Sequence, residues 1–217
     1  MFLLYCLPLY NQQLADTLMA RINYEDATFL LSAARLAQLP EDVGIEVAFV
    51  GRSNAGKSSV LNQITQNKKL ARVSKTPGRT QLINVFVLDE KRRLIDLPGY
   101  GYAKVPQEVK ALWQQTLGDY LLQRNCLQGL ILVMDIRHPL TDFDQNLLAW
   151  ADESNLAVHI LLNKADKLAF GASKNTLFEV RKFVEKYTTV VTCQCFSALK
   201  STGIKELRDQ LNDWYSL

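Results

Sequence analysis

The period of apolar and polar positions changes repeatedly after residue 45, and each change marks a predicted element. EVAFV (46–50) is a short continuous apolar run that predicts a buried strand, followed by a glycine-rich turn and a helix to about Thr65. LINVFVL (82–88) and RLID (93–96) predict two strands joined by a turn at Asp89, Glu90 and Lys91. Helical spacing returns over Val109–Gln123, and GLILVMD (129–135) is apolar almost throughout, as in a parallel strand buried on both faces. A helix over 143–153, a buried strand over 156–163, a helix over 177–186, a strand over 190–196 and a closing helix over 204–214 complete the pattern. This alternation predicts an α/β fold with a mostly parallel six-stranded sheet and helices on both faces, in one domain from 46 to 217. Residues 1–45 are expected to be an appended arm with a short helix near Glu25–Ala37.

Composition adds little to that picture and excludes several classes. The chain has 217 residues, 48% of them hydrophobic and 22% charged, enough for one substantial core. Its first ten residues, MFLLYCLPLY, are apolar, but no Lys or Arg precedes Arg21, so the basic start of a secretory signal is missing. That run is also too short to span a bilayer, and no other segment is long and apolar enough. We expect translation to begin at Met19, with residues 1–18 lying outside the native protein. Cys6, Cys126, Cys193 and Cys195 lack a partner pair at zinc spacing and suit free thiols in a reducing cytoplasm. A net charge of +3 does not by itself imply a nucleic-acid partner. A cytoplasmic monomer with no membrane contact is expected.

The candidate chemistry lies in the turns after the strands. Gly51, Arg52, Ser53, Asn54, Ala55, Gly56, Lys57 and Ser58 fit G-x-x-x-x-G-K-[ST] between an apolar strand and a helix. There, backbone N–H groups and a helix N-terminus can cradle phosphates. Lys57 is expected to reach the β- and γ-phosphates and Ser58 to ligate Mg²⁺. Asn163, Lys164, Ala165 and Asp166 follow a buried strand, so they lie at the sheet's carboxyl edge. The Asp166 carboxylate can accept from guanine N1–H and its 2-amino group, donors that adenine lacks. Asn163 is expected to brace the base edge and the phosphate loop, and the Lys164 stem to pack on the base. Asp96, Leu97, Pro98 and Gly99 form D-x-x-G: Asp96 would hold Mg²⁺ through water, and the Gly99 N–H would meet the γ-phosphate. Thr80, with Thr76 as competitor, can supply the second protein ligand to Mg²⁺. Phe196, Ser197 and Ala198 end the last strand and can offer backbone N–H to guanine O6. The reading is a Ras-like P-loop GTPase using GTP and Mg²⁺, with Lys57, Thr80 and Gly99 closest to the chemistry.

Together the stretches 44–62, 74–86, 96–106, 134–144 and 163–168 resemble the EngB (YihA/YsxC) family of bacterial GTPases, over about residues 23–215. The resemblance implies GTP contacts at Gly51–Ser58, at Gly78, Arg79, Thr80, Gln81 and Leu82, and at 96–99, 163–166 and 196–198, with Mg²⁺ on Ser58 and Thr80. It also implies a role in assembly of the large ribosomal subunit and a requirement in cell division and septation. Many GTPases carry a water-orienting Gln after D-x-x-G, where this chain has Tyr100, so slow intrinsic hydrolysis is expected. Asn54 either binds a stimulating K⁺, as in the related Era-like class, or only braces the loop. Lys68, Lys69, Arg72, Lys75 and Arg79, together with Lys91, Arg92 and Arg93, are either a solvated face or a contact for rRNA phosphates. The rival to an enzymatic switch is a nucleotide-gated RNA- or ribosome-binding module in which turnover is secondary. A P-loop ATPase or kinase is a third class, which Asp166 argues against.

Overall fold

The computed structural model describes residues 22–71, 82–101 and 107–216, with backbone alone for 107–114. One sheet runs through it, built from β1 (Thr28–Ala33), β2 (Ile45–Gly51), β3 (Ile83–Val87), β4 (Arg92–Asp96), β5 (Leu127–Asp135), β6 (Val158–Asn163) and β7 (Val191–Cys195). Its order is β1-β3-β4-β2-β5-β6-β7. The five strands from β4 to β7 are parallel, and the β1–β3 and β3–β4 pairs are antiparallel. Among the described residues there are five helices: α1 (Lys57–Ile64), α2 (Gln107–Gln123), α3 (Asp142–Glu153), α4 (Phe170–Val184) and α5 (Ile204–Tyr215).

The central strands read as continuous apolar runs because both faces are covered. Ala48 and Val50 join a cluster with Leu130, Leu132, Leu147, Leu148 and Val180, which carries α2, α3 and α4. Val47 and Phe49 point the other way, to Val60, Leu61, Leu207 and Leu211 on α1 and α5. Gly129 lets α5 come close: a Cβ there would lie 2.6 Å from ring atoms of Trp214.

One expectation is corrected. The segment near Glu25–Ala37 is not a helix. It forms β1, flanked by 3-10 turns at Tyr24–Asp26 and Leu36–Gln38, and the sheet therefore has seven strands instead of six. The helical spacing of Leu30, Leu31, Ala34 and Leu36 is outweighed by pairing with the otherwise open edge of β3, and the register shifts between Phe29 and Leu31. Lys91, Arg92 and Arg93 lie away from the phosphate loop. They sit at the amino end of β4, which runs parallel to β2 and finishes at Asp96 on the phosphate-loop side. Arg92 pairs with Asp89 at 3.2 Å, and Arg93 Nε lies 3.2 Å from the fully buried Glu46. Arg124 (2.7 Å) and the Tyr120 hydroxyl (2.8 Å) complete the surroundings of that carboxylate. Arg92 and Arg93 thus have carboxylate partners within the fold.

Candidate functional site

The carboxyl ends of β2, β4, β6 and β7 bring the motifs to one edge. Gly51 closes β2, and the turn that follows holds Asn54 at φ 65° and Gly56 at φ 100°, where Gly56 caps α1. Only glycine fits there: besides the left-handed φ, a Cβ would lie 2.3 Å from Asn163 Nδ2. Lys57 and Ser58 open α1, so the motif lies at a helix N-terminus.

Asn163, the last residue of β6, ties three segments together. Its Nδ2 donates to the Ala55 carbonyl at 2.8 Å, and its Oδ1 accepts from the Ala198 N–H at 3.4 Å. Lys164, at φ 65°, donates through Nζ to the Asn54 carbonyl and to Asp135 Oδ2 at 3.0 Å. The Ala165 N–H donates to the Phe196 carbonyl at 3.0 Å, joining the N-K-A-D turn to the end of β7. Asp166 accepts from Ser197 Oγ at 2.6 Å, and this hydrogen bond holds its carboxyl below the usual carboxylate range. Ser197 is itself buried and also accepts from the Lys200 N–H at 3.1 Å.

On the phosphate side, Lys57 Nζ pairs with Oδ1 of Asp96, a carboxylate only 6% exposed. Asn84 Nδ2 donates to the other oxygen at 3.1 Å. Leu97 returns its N–H to the Phe49 carbonyl at 2.9 Å, and a Cβ on Gly99 would sit 3.5 Å from the Gly51 carbonyl oxygen. The D-x-x-G turn therefore lies directly against the phosphate loop. Tyr100 continues that contact: its carbonyl accepts from the Ser53 N–H at 2.7 Å. Its side chain is buried, donates to Asp144 and stacks on Phe143 with ring centroids 4.0 Å apart. Burial and Asp144 push the phenol well above its ordinary range.

The structure thus gathers residues 51–58, 96–99, 163–166 and 196–198 at one sheet edge, with Leu82 at the entry to β3. Gly78, Arg79, Thr80 and Gln81, and the alternative Thr76, lie outside the described residues. Among the described residues no group of three or more His, Cys, Asp or Glu side chains could hold a metal ion. Mg²⁺ bound to a nucleotide needs less: it keeps several waters and takes one or two hard protein oxygens plus phosphate. The Ser58 hydroxyl fits that direct donor, and the nearly buried Asp96 carboxylate, already paired with a cation, fits an acceptor for the metal's waters.

Three residues were not picked out from the sequence. Asp135 ends β5 in register with Asn163, and that shared carboxyl edge was a usable signal. Asn84 and Asp144 gave none, because their roles depend on cross-strand register and on the docking of α3.

Comparison with known proteins agrees with this geometry. The sequence model of the family described as "50S ribosome-binding GTPase" matches residues 46–164. "Probable GTP-binding protein EngB" of Salmonella newport is 56% identical over 198 residues, covering 91% of this chain and 94% of the relative. The Escherichia coli O139:H28 protein of the same name gives the same identity and coverage. A crystal structure of an EngB GTP-binding protein superposes with a TM-score of 0.62 at 22% identity, covering 78% of this chain and 98% of that one. The G domain of the T. maritima FeoB iron transporter gives 0.51 at 25% identity, covering 78% and 98%.

Proposed function

This chain belongs to the EngB family of GTP-binding proteins and is a GTPase, and from that premise we propose that it cycles between GTP and GDP with Mg²⁺ as a slow switch in assembly of the large ribosomal subunit. A requirement in normal cell division and septation belongs to the same proposal. The observation that carries the nucleotide assignment is the Asn163–Ala55 and Ser197–Asp166 pair of contacts, which joins a guanine-reading carboxylate to a phosphate loop. In this reading Asp166 accepts the guanine N1–H and 2-amino hydrogens, and the Lys164 stem covers one face of the base. The Ala198 N–H, held near Asn163, meets O6. Phosphates lie over residues 51–58, with Lys57 turning from Asp96 to the β- and γ-oxygens. Ser58 and Thr80 would hold Mg²⁺ directly and Asp96 through water, and the metal would supply neutralisation of the phosphate charge.

Slow turnover is supported by Tyr100, whose buried hydroxyl is committed to Asp144 and so is unavailable to an attacking water. The same observation keeps a second reading in play, a nucleotide-gated ribosome- or RNA-binding module in which hydrolysis is secondary. A variant that binds GTP without hydrolysing it and still supports assembly would favour that reading. Asn54 remains a candidate K⁺ ligand, read out by the hydrolysis rate in K⁺ against Na⁺. The ribosomal partner is supported by the description of the family and by the exposed Lys68 and Lys69.

Affinity titration of GTP, GDP and ATP with the wild type and Asp166→Ala tests the site. A guanine preference of ~10⁴-fold is expected for the wild type, with most of it lost in the variant. Comparable ATP binding by the wild type would sink the assignment.

A further inference from the structure

A line of polar side chains crosses the antiparallel half of the sheet and ends on the Mg²⁺-side carboxylate. Ser32 on β1 is directly opposite Asn84 on β3, and Asn84 is directly opposite Asp96 on β4. Residues opposite one another project to the same face with Cβ atoms about 5 Å apart. Ser32 Oγ donates to Asn84 Oδ1 at 2.6 Å, and Asn84 Nδ2 donates to Asp96 Oδ2 at 3.1 Å. The opposite Asp96 oxygen faces Lys57 Nζ. Exposure falls along the line, from exposed Ser32 through half-buried Asn84 to Asp96 at 6%.

The chemistry fixes the direction of every bond. An ionised carboxylate only accepts, so the Asn84 amide must turn its NH₂ toward Asp96 and its oxygen toward β1. Ser32 can stabilise that orientation only by donating. Lys57 is the mobile partner: when its ammonium turns to a phosphate, Oδ1 of Asp96 is released. Asn84 holds Oδ2 independently of Lys57, and so can keep the nearly buried carboxylate from being orphaned or from rotating after the lysine. Asn84 also stands four positions beyond Thr80, at the start of β3.

We infer that Asn84 is a positioning residue that aims the Asp96 carboxylate at the Mg²⁺ water shell, and that Ser32 on the edge strand sets the Asn84 amide. The inference rests on the Mg²⁺–nucleotide reading above. It makes β1, outside the expected G domain, part of the apparatus that holds nucleotide.

The test reads release of a fluorescent GDP as Mg²⁺ is titrated down with chelator, in wild type, Asn84→Ala, Ser32→Ala and Val85→Ala. Val85 is fully buried and is the strand neighbour of Asn84, so it faces away from Asp96. Outer-shell partners typically contribute 10–100-fold to metal affinity, so Asn84→Ala is expected to raise the Mg²⁺ midpoint for GDP retention ~10-fold. Ser32→Ala, at an exposed site that tolerates truncation, should raise it by a smaller factor in the same direction. Val85→Ala should lower thermal stability and leave the midpoint in place. Midpoints for both Asn84→Ala and Ser32→Ala that match the wild type would overturn the inference. Wild-type GDP retention indifferent to Mg²⁺ would instead overturn the nucleotide-site reading beneath it.

Discussion

At the scale of single residues, Ser197 decides the condition in which Asp166 meets a base. Its hydroxyl, 2.6 Å from the carboxylate, favours the ionised form and holds the group below the ordinary carboxylate range. In the proposed reading, guanine is bound by that ionised form. Binding should therefore be complete at neutral pH and fall only when acid protonates the carboxyl, below the pH at which an ordinary Asp would take up its proton. Ser197→Ala removes the donor, so the acid limb of a GDP-affinity profile should move to higher pH, toward that of an ordinary Asp. An unmoved limb would mean that Ser197 serves only the backbone turn. Asp166, Asn163 and Lys57 were legible in the sequence because spacing and residue type suffice for them. Ser197 was legible only as a backbone contributor, since its hold on Asp166 depends on a turn between chain segments far apart in sequence.

Among elements, strands buried on both faces were readable because continuous apolar runs leave no other explanation. The edge strand β1 was not, since one-sided pairing places few demands on its side chains and Phe29 and Leu30 remain exposed. Packing of helix on sheet is more exacting. Gly129→Ala would drive a methyl into the Trp214 ring, which is part of a packed cluster and cannot swing away. A loss of about 1–3 kcal/mol is expected in chemical denaturation, with much of it recovered by Trp214→Leu in the same chain. Between β6 and β7, buried His159 is held between Thr192 Oγ1 (2.7 Å) and Gln194 Oε1 (2.9 Å), and burial pushes its pKa down to about 4. The unfolded chain, with an ordinary value near 6.5, takes up this proton first. The contribution of His159 is therefore present above pH 6.5 and is lost as pH falls toward 4, up to about 3 kcal/mol. His159→Gln should flatten that part of the stability–pH curve, measured by urea denaturation.

The whole molecule separates its two polar centres. The amino end of the sheet holds Glu46 with Arg124, Arg93 and Tyr120, and the carboxyl end holds the residues proposed to bind nucleotide. Glu46→Gln leaves two poorly exposed guanidiniums short of a counter-charge and should cost about 3 kcal/mol. GDP-over-ATP preference should be unchanged, because that cluster lies at the opposite end of the sheet from the motifs. Altered preference in a variant that still folds would show that the sheet couples its two ends. One consequence of the β1–β3 pairing concerns time. A ribosome makes Ser32 well before Asn84, 52 residues further along the chain, so the edge strand emerges long before its partner exists. Phe29 and Leu30 must wait through synthesis of the whole phosphate loop, and the nascent chain cannot complete its Asp96 alignment until the last strand of that half has left the tunnel.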